Sequence, residues 1–154
     1  MKYLRCPSHT GHDVPGALAL IFVLSIKALA LMAVPVEVIP ILLVGAHGLS
    51  RFSSVVVIKA GTYARDHGTG KHTAAGLSTG GFLVAGLTAV LAIYLLSTFG
   101  SGLVAGAVTG CVIGHILMRR IAGKKLGGYT GDTLGAVQQI SEMGIYLGVA
   151  AWVS

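Results

Sequence analysis

A chain of 154 residues that is 54% hydrophobic and only 10% charged is too poor in charge for a soluble globular domain, where about a quarter of residues are charged. Its net charge of +6 does not signal nucleic acid, because the cations sit between apolar runs and form no basic face interleaved with aromatics. Two cysteines, Cys6 and Cys111, set up no disulfide framework, and the composition points to an all-α, polytopic membrane helix bundle in a single unit.

The opening "CPSHTGHD" brings Cys6, His9, His12 and Asp13 close together in sequence. All are possible metal ligands, but their spacing fits no zinc pattern. Five apolar runs follow, each near the roughly 20 residues that carry a helix across hydrocarbon. They are Gly16 to Val34, about Val38 to Ala60, Ala74 to Leu96, Gly102 to Met118, and Thr133 to Val153. The first exceeds the apolar region of a signal peptide and contains Lys27, so it is expected to be a retained span.

Alternate connections hold the cations. Lys2 and Arg5, then Lys59, Arg65 and Lys71, then Arg119, Arg120, Lys124 and Lys125 fall on one side, while the opposite connections contain Glu37 and no Lys or Arg. Positive charge marks the cytoplasmic face, which predicts a cytoplasmic N-terminus and an outer C-terminus.

In the fourth run Gly102, Gly106, Gly110 and Gly114 recur every fourth residue, the small-residue pattern for close helix approach in lipid. Gly76 with Gly80, and Gly144 with Gly148, repeat it on the third and fifth runs. These glycines predict packing.

Ionisable groups inside spans are costly and face a bundle interior or a wet cavity. Here they are Lys27, His47, Arg51 and Glu142, accompanied by Gln138 and Gln139. On span two, His47, Ser50, Arg51 and Ser54 fall on one face; on span five, Asp132, Gln139, Glu142 and Tyr146 do so. At about 1.5 Å per residue, Arg51 and Glu142 share a depth and can pair, while Lys27 and His47 share a deeper level. Two readings stay open, buried ties between helices or the lining of a polar cavity. "HGTGKHT" is no phosphate loop, since Arg65 stands where glycine is needed and His72 where Ser or Thr is needed. Asp132 or Thr130 is placed to cap the start of span five.

"GALALIFVLSIKALAL" (Gly16 to Leu31), "AHGLSRFSSVVVIKAGTYARDHGTGK" (Ala46 to Lys71) and "LGGYTGDTLGAVQQISEMGIYLG" (Leu126 to Gly148) resemble the C-terminal part of the cobalamin synthase family. The most specific element is GGxTGDTLGA, here Gly127 to Ala136. The resemblance implies a Mg2+-dependent membrane phosphotransferase, adenosylcobinamide-GDP ribazoletransferase. Such an enzyme joins adenosylcobinamide-GDP to α-ribazole or α-ribazole 5′-phosphate and releases GMP. It further implies Asp132 and Arg51 as catalytic residues and Lys27, Arg65 and Thr130 as substrate-binding residues, because attack on a pyrophosphate needs cations for the phosphates and an acid for the metal or nucleophile. The family's acidic motif, of the form HLDGLxDxxDG and expected to bind the metal, lies in the part this chain does not match, so no metal ligands are assigned. A truncated or split form is therefore expected, with a separate N-terminal half as a possible partner. The competing readings are a small transporter or channel, which lacks the inverted repeat expected of one, and a catalytically inactive assembly subunit.

Overall fold

The computed structural model describes residues 13–61, 77–126 and 128–154. Five helices account for almost all of them: α1 Asp13–Met32, α2 Ile39–Ala60, α3 Thr79–Ser97, α4 Ser101–Leu126 and α5 Gly131–Val153. Four of these, α1 to α4, are long and apolar enough to cross a membrane. The chain is a membrane protein of helix-bundle architecture. α5 is equally long but carries Asp132, Gln138, Gln139 and Glu142; the last three are partly buried among its neighbours and Asp132 is exposed in its first turn.

α5 is the hub. It packs along the length of α4, against α2, and against α1, whereas α3 lies outside and packs mainly on α2. α1 makes little contact with α2, so the two helices that begin the described chain lean on α5 from different sides. The core joins Ala30 of α1, Val34 just beyond its end, Leu42, Ala46 and Leu49 of α2, Leu96 of α3, Ala107 of α4, and Ile145 and Val149 of α5.

Glycine sets the closest of these contacts. A Cβ added at Gly106 would lie 2.5 Å from the Gly148 carbonyl oxygen, and one at Gly114 would lie 2.6 Å from that of Ile140; one at Gly110 would run into the Gly144 carbonyl. The α4 stripe thus lies backbone against backbone on Gly144 and Gly148, as small-residue spacing in lipid predicts. Gly80 differs from that expectation: a Cβ there would meet just the Ser78 hydroxyl of its own cap at 3.8 Å. Gly76 lies outside the described residues. The closest approach of α2 to α3 uses Gly45 against Leu96 and Gly48 against Ala92 instead.

α4 also runs further than the apolar run implied. It continues through Leu126, 26 residues in all, or about 39 Å, against a hydrocarbon core of about 30 Å. Arg119, Arg120 and Lys124 therefore stand on the helix itself, in its last turns after the apolar run ends at Met118, and not in a loop. The connection to α5 is correspondingly short. At the opposite end, Gly100 adopts φ +115° between α3 and α4, a conformation that L side chains rarely take.

Candidate functional site

Chemistry-bearing side chains gather in three places around α5, all produced by its polar content. The first is the middle of the bundle. Lys27 of α1 is buried and donates from Nζ to Gln139 Oε1 at 2.6 Å and Glu142 Oε2 at 2.9 Å. Tyr146, one turn along α5, donates its hydroxyl to the other carboxylate oxygen, Glu142 Oε1, at 2.7 Å. Among the described residues Lys27–Glu142 is the ion pair. The anticipated Arg51–Glu142 pair does not form. Lys27 approaches from α1, which packs directly on this face of α5, while Arg51 sits on an exposed face of α2 and donates from Nε to His47 Nε2 at 3.1 Å. Depth was judged from sequence, but azimuth around the bundle decides the partner.

The second place ties α2 to its neighbours. Ser53 Oγ lies 2.8 Å from His115 Nδ1 of α4 and 2.9 Å from Ser141 Oγ of α5, a chain of hydrogen bonds across three helices. One residue on, Ser54 donates to the Leu134 carbonyl at 3.1 Å. That bond sets the polar stripe of Arg51 and Ser54 against the first turns of α5. The sequence reading missed His115, Ser53 and Ser141. Their signal was faint, a histidine four residues before Arg119 and two serines among small and apolar neighbours.

The third place is the start of α5, where "GGYTGDTLGA" folds. Thr130 is the N-cap: its hydroxyl accepts from the Thr133 N–H at 3.4 Å, while the Thr133 hydroxyl accepts from the Thr130 N–H at 2.7 Å. This reciprocal cap resolves the earlier alternative. Asp132 is not the cap but an exposed acid in the first turn, where a negative charge is favoured by the helix dipole. Beside it is a small cavity of about 210 Å³, with Arg119 from α4 and Gly128, Tyr129 and Thr133 among its lining residues. A helix N-terminus facing an arginine favours an anion such as phosphate.

The site residues expected from sequence are thus distributed as follows. Asp132 and Thr130 stand together at the start of α5, Arg51 lies on α2 in the stripe that Ser54 ties to α5, and Lys27 is held deep in the bundle by Glu142. Arg65 and the Cys6, His9 and His12 cluster lie outside the described residues. Arg119, counted from sequence as a topological charge, is the cation that lines the small cavity.

Among the described residues no group of three His, Cys, Asp or Glu side chains is placed to hold a metal. The two carboxylates of α5, Asp132 and Glu142, are about 15 Å apart along the helix, and both oxygens of Glu142 are already engaged.

Comparison with known proteins identifies the family. A family model described as cobalamin-5-phosphate synthase matches residues 8–150. The chain is 38% identical over 148 residues to an adenosylcobinamide-GDP ribazoletransferase of Leptothrix cholodnii, covering 90% of this chain and 55% of that protein. It is 35% identical to a ribazoletransferase of the same name from Ralstonia pickettii, with 90% and 54% covered, and 36% identical to one from Shewanella woodyi, with 86% and 52% covered. It therefore spans about half the length of these curated relatives. No solved structure matches it. With the family model covering all five helices except the last residues of α5, the chain belongs to the cobalamin-5-phosphate synthase family.

Proposed function

We propose that this chain supplies the C-terminal, membrane-embedded part of an adenosylcobinamide-GDP ribazoletransferase. The reaction would join the phosphoryl-cobinamide of adenosylcobinamide-GDP to the hydroxyl of α-ribazole or its 5′-phosphate, with GMP leaving. The observation that carries this reading is the start of α5, where the most family-specific stretch of the sequence becomes a capped helix N-terminus beside Arg119.

Attack of an alcohol on a pyrophosphate needs the phosphate oxygens held and their growing charge stabilised, and the alcohol oriented. In this proposal Arg119 and the start of α5 hold a substrate phosphate. Arg51, and Arg65 beyond the described residues, supply further positive charge, and Asp132 orients the attacking hydroxyl or contributes one metal ligand. Thr130 acts through the backbone it fixes. The Lys27–Glu142–Tyr146 cluster holds α1 on α5. Magnesium is retained from the family reading as an activator. Mg2+ commonly takes one or two carboxylates together with substrate phosphates and water, so the remaining protein ligands would come from outside the described residues, including a separate N-terminal half.

The proposed location is the cytoplasmic membrane of a bacterium or archaeon, with the N-terminus and the start of α5 on the cytoplasmic side, as the clustered cations suggest. The test is genetic: this chain, expressed together with the N-terminal part of a relative in a strain lacking its own synthase, should restore cobalamin-dependent growth. Failure of that pair, with both polypeptides present in the membrane, would count against the proposal.

A further inference from the structure

His47 and Arg51 stand one turn apart on α2, so their side chains lie over the same face of the helix. Both are exposed on that face, although α2 is apolar enough to span a membrane, and ionisable groups in a span face a wet cavity or a bundle interior. Arg51 donates from Nε to His47 Nε2 at 3.1 Å. A ring nitrogen that accepts a hydrogen bond carries no proton, so His47 is a neutral imidazole with its proton on Nδ1.

That contact decides which edge of the guanidinium is left for an anion. A guanidinium meets an oxyanion either side-on, through Nε–H and one terminal nitrogen, or end-on, through both terminal nitrogens. With Nε–H given to His47, the side-on edge is taken and the end-on pair remains. The backbone beneath is anchored as well. Ser50, fully buried, donates to the His47 carbonyl at 3.1 Å, and Ser54 donates to the Leu134 carbonyl at 3.1 Å. Leu134 belongs to the same first turn of α5 as Asp132. The two serines therefore fix this stretch of α2 beside the start of α5, and the imidazole restrains the long side chain that the stretch carries. Ordering such a chain before the anion arrives lowers the cost of gripping it.

We propose that His47 is the positioning residue for Arg51: as a neutral imidazole it holds Nε and leaves the two terminal nitrogens to meet a substrate phosphate end-on. The inference rests on the transferase reading, in which Arg51 supplies positive charge to that phosphate.

The test uses enzyme assembled from this chain and the N-terminal part of a relative. Glutamine places an acceptor oxygen near the position of Nε2, whereas the asparagine oxygen falls one carbon short. His47→Ala and His47→Asn should lower kcat by about ten- to a hundredfold with a smaller change in KM for adenosylcobinamide-GDP, and His47→Gln should restore most of the rate. In an Arg51→Lys background, where the guanidinium is gone, His47→Ala should cause no further loss. Nitrogen NMR of this chain labelled in histidine, with the His47 signals identified by their absence from His47→Gln, should show Nδ1 protonated and Nε2 bare, a readout independent of activity. Full kcat in His47→Ala beside an impaired Arg51→Lys, no rescue by glutamine, an equal further loss in the lysine background, or a protonated Nε2 would each overturn the inference alone. Full activity of Arg51→Lys would remove the role of Arg51 and the inference with it.

Discussion

Lys27 of α1 and Glu142 of α5 form an ion pair of 2.9 Å in the middle of the bundle, with Tyr146 holding the second carboxylate oxygen at 2.7 Å. Their side chains are 10% and 15% exposed, so neither charge has water to fall back on. Removing one partner of a buried pair typically costs about 3 to 5 kcal/mol because the other is left uncompensated. Lys27→Met should therefore lower the denaturation temperature of the purified protein sharply. Adding Glu142→Gln to it should recover part of the loss, since the orphaned charge is gone. Equal stability of Lys27→Met and the parent would show that the pair carries no structural weight.

The glycine stripe makes a second, sharper contrast. Gly110→Ala drives a methyl group into the Gly144 carbonyl, which is backbone and cannot rotate away. Overpacking of this kind costs about 1 to 3 kcal/mol, so the variant should be less stable and lose the close α4–α5 contact. Gly123→Ala lies on the same helix with nothing within 4 Å. It should be neutral or gain up to about 1 kcal/mol from helix propensity. Thermal denaturation of the two variants side by side checks the packing account; the opposite ranking would refute it.

Arg51→Lys tests whether Arg51 acts on an anion or serves as a tie within α2. Among the described residues its side chain donates from Nε to His47, which leaves most of the guanidinium fork directed to an exposed face. A guanidinium grips phosphate through two parallel bonds and an ammonium does not. In an assembled enzyme the variant should keep its stability and lose most of its cobalamin formation. Unchanged activity would reduce Arg51 to a partner of His47.

Asp132→Asn separates charge from helix capping more cleanly than the sequence allowed. Thr130 and Thr133 make the cap, so the substitution leaves the cap in place and removes a charge that the helix dipole favours by about 0.3 to 1 kcal/mol. If Asp132 orients the nucleophile or helps hold the metal, transfer should fall by about 10² to 10⁴ in a protein that stays folded. Near-normal transfer by the variant, measured as product per unit time, would make the residue a helix-start charge and nothing more.

The helices, the glycine seam on α4 and the family-specific turn before α5 were legible in the sequence because each is a local pattern: a run length, a spacing of four, a string of small and capping residues. Partner choice was not. Arg51 and Lys27 are both cations within reach of the depth of Glu142, and which one pairs depends on how α1 and α2 are arranged around α5, a tertiary fact with no local trace. The end of α4 was missed for a similar reason. Hydropathy stops at Met118, but the backbone hydrogen bonding of a helix does not require apolar side chains, and the helix carries its arginines outward to Leu126. That extension turns Arg119 from a topological marker into part of the α5 cavity.

The most direct measurement of the central claim is product formation in vitro. This chain, reconstituted in vesicles with the N-terminal part of a relative and supplied with adenosylcobinamide-GDP, magnesium and α-ribazole 5′-phosphate, should release GMP and form the ribazole-bearing corrinoid in equal amounts, as followed by chromatography. Omitting this chain or the ribazole substrate should abolish both. GMP release that proceeds without this chain, or no corrinoid product from a complete mixture in which both polypeptides are folded and membrane-bound, would contradict the account.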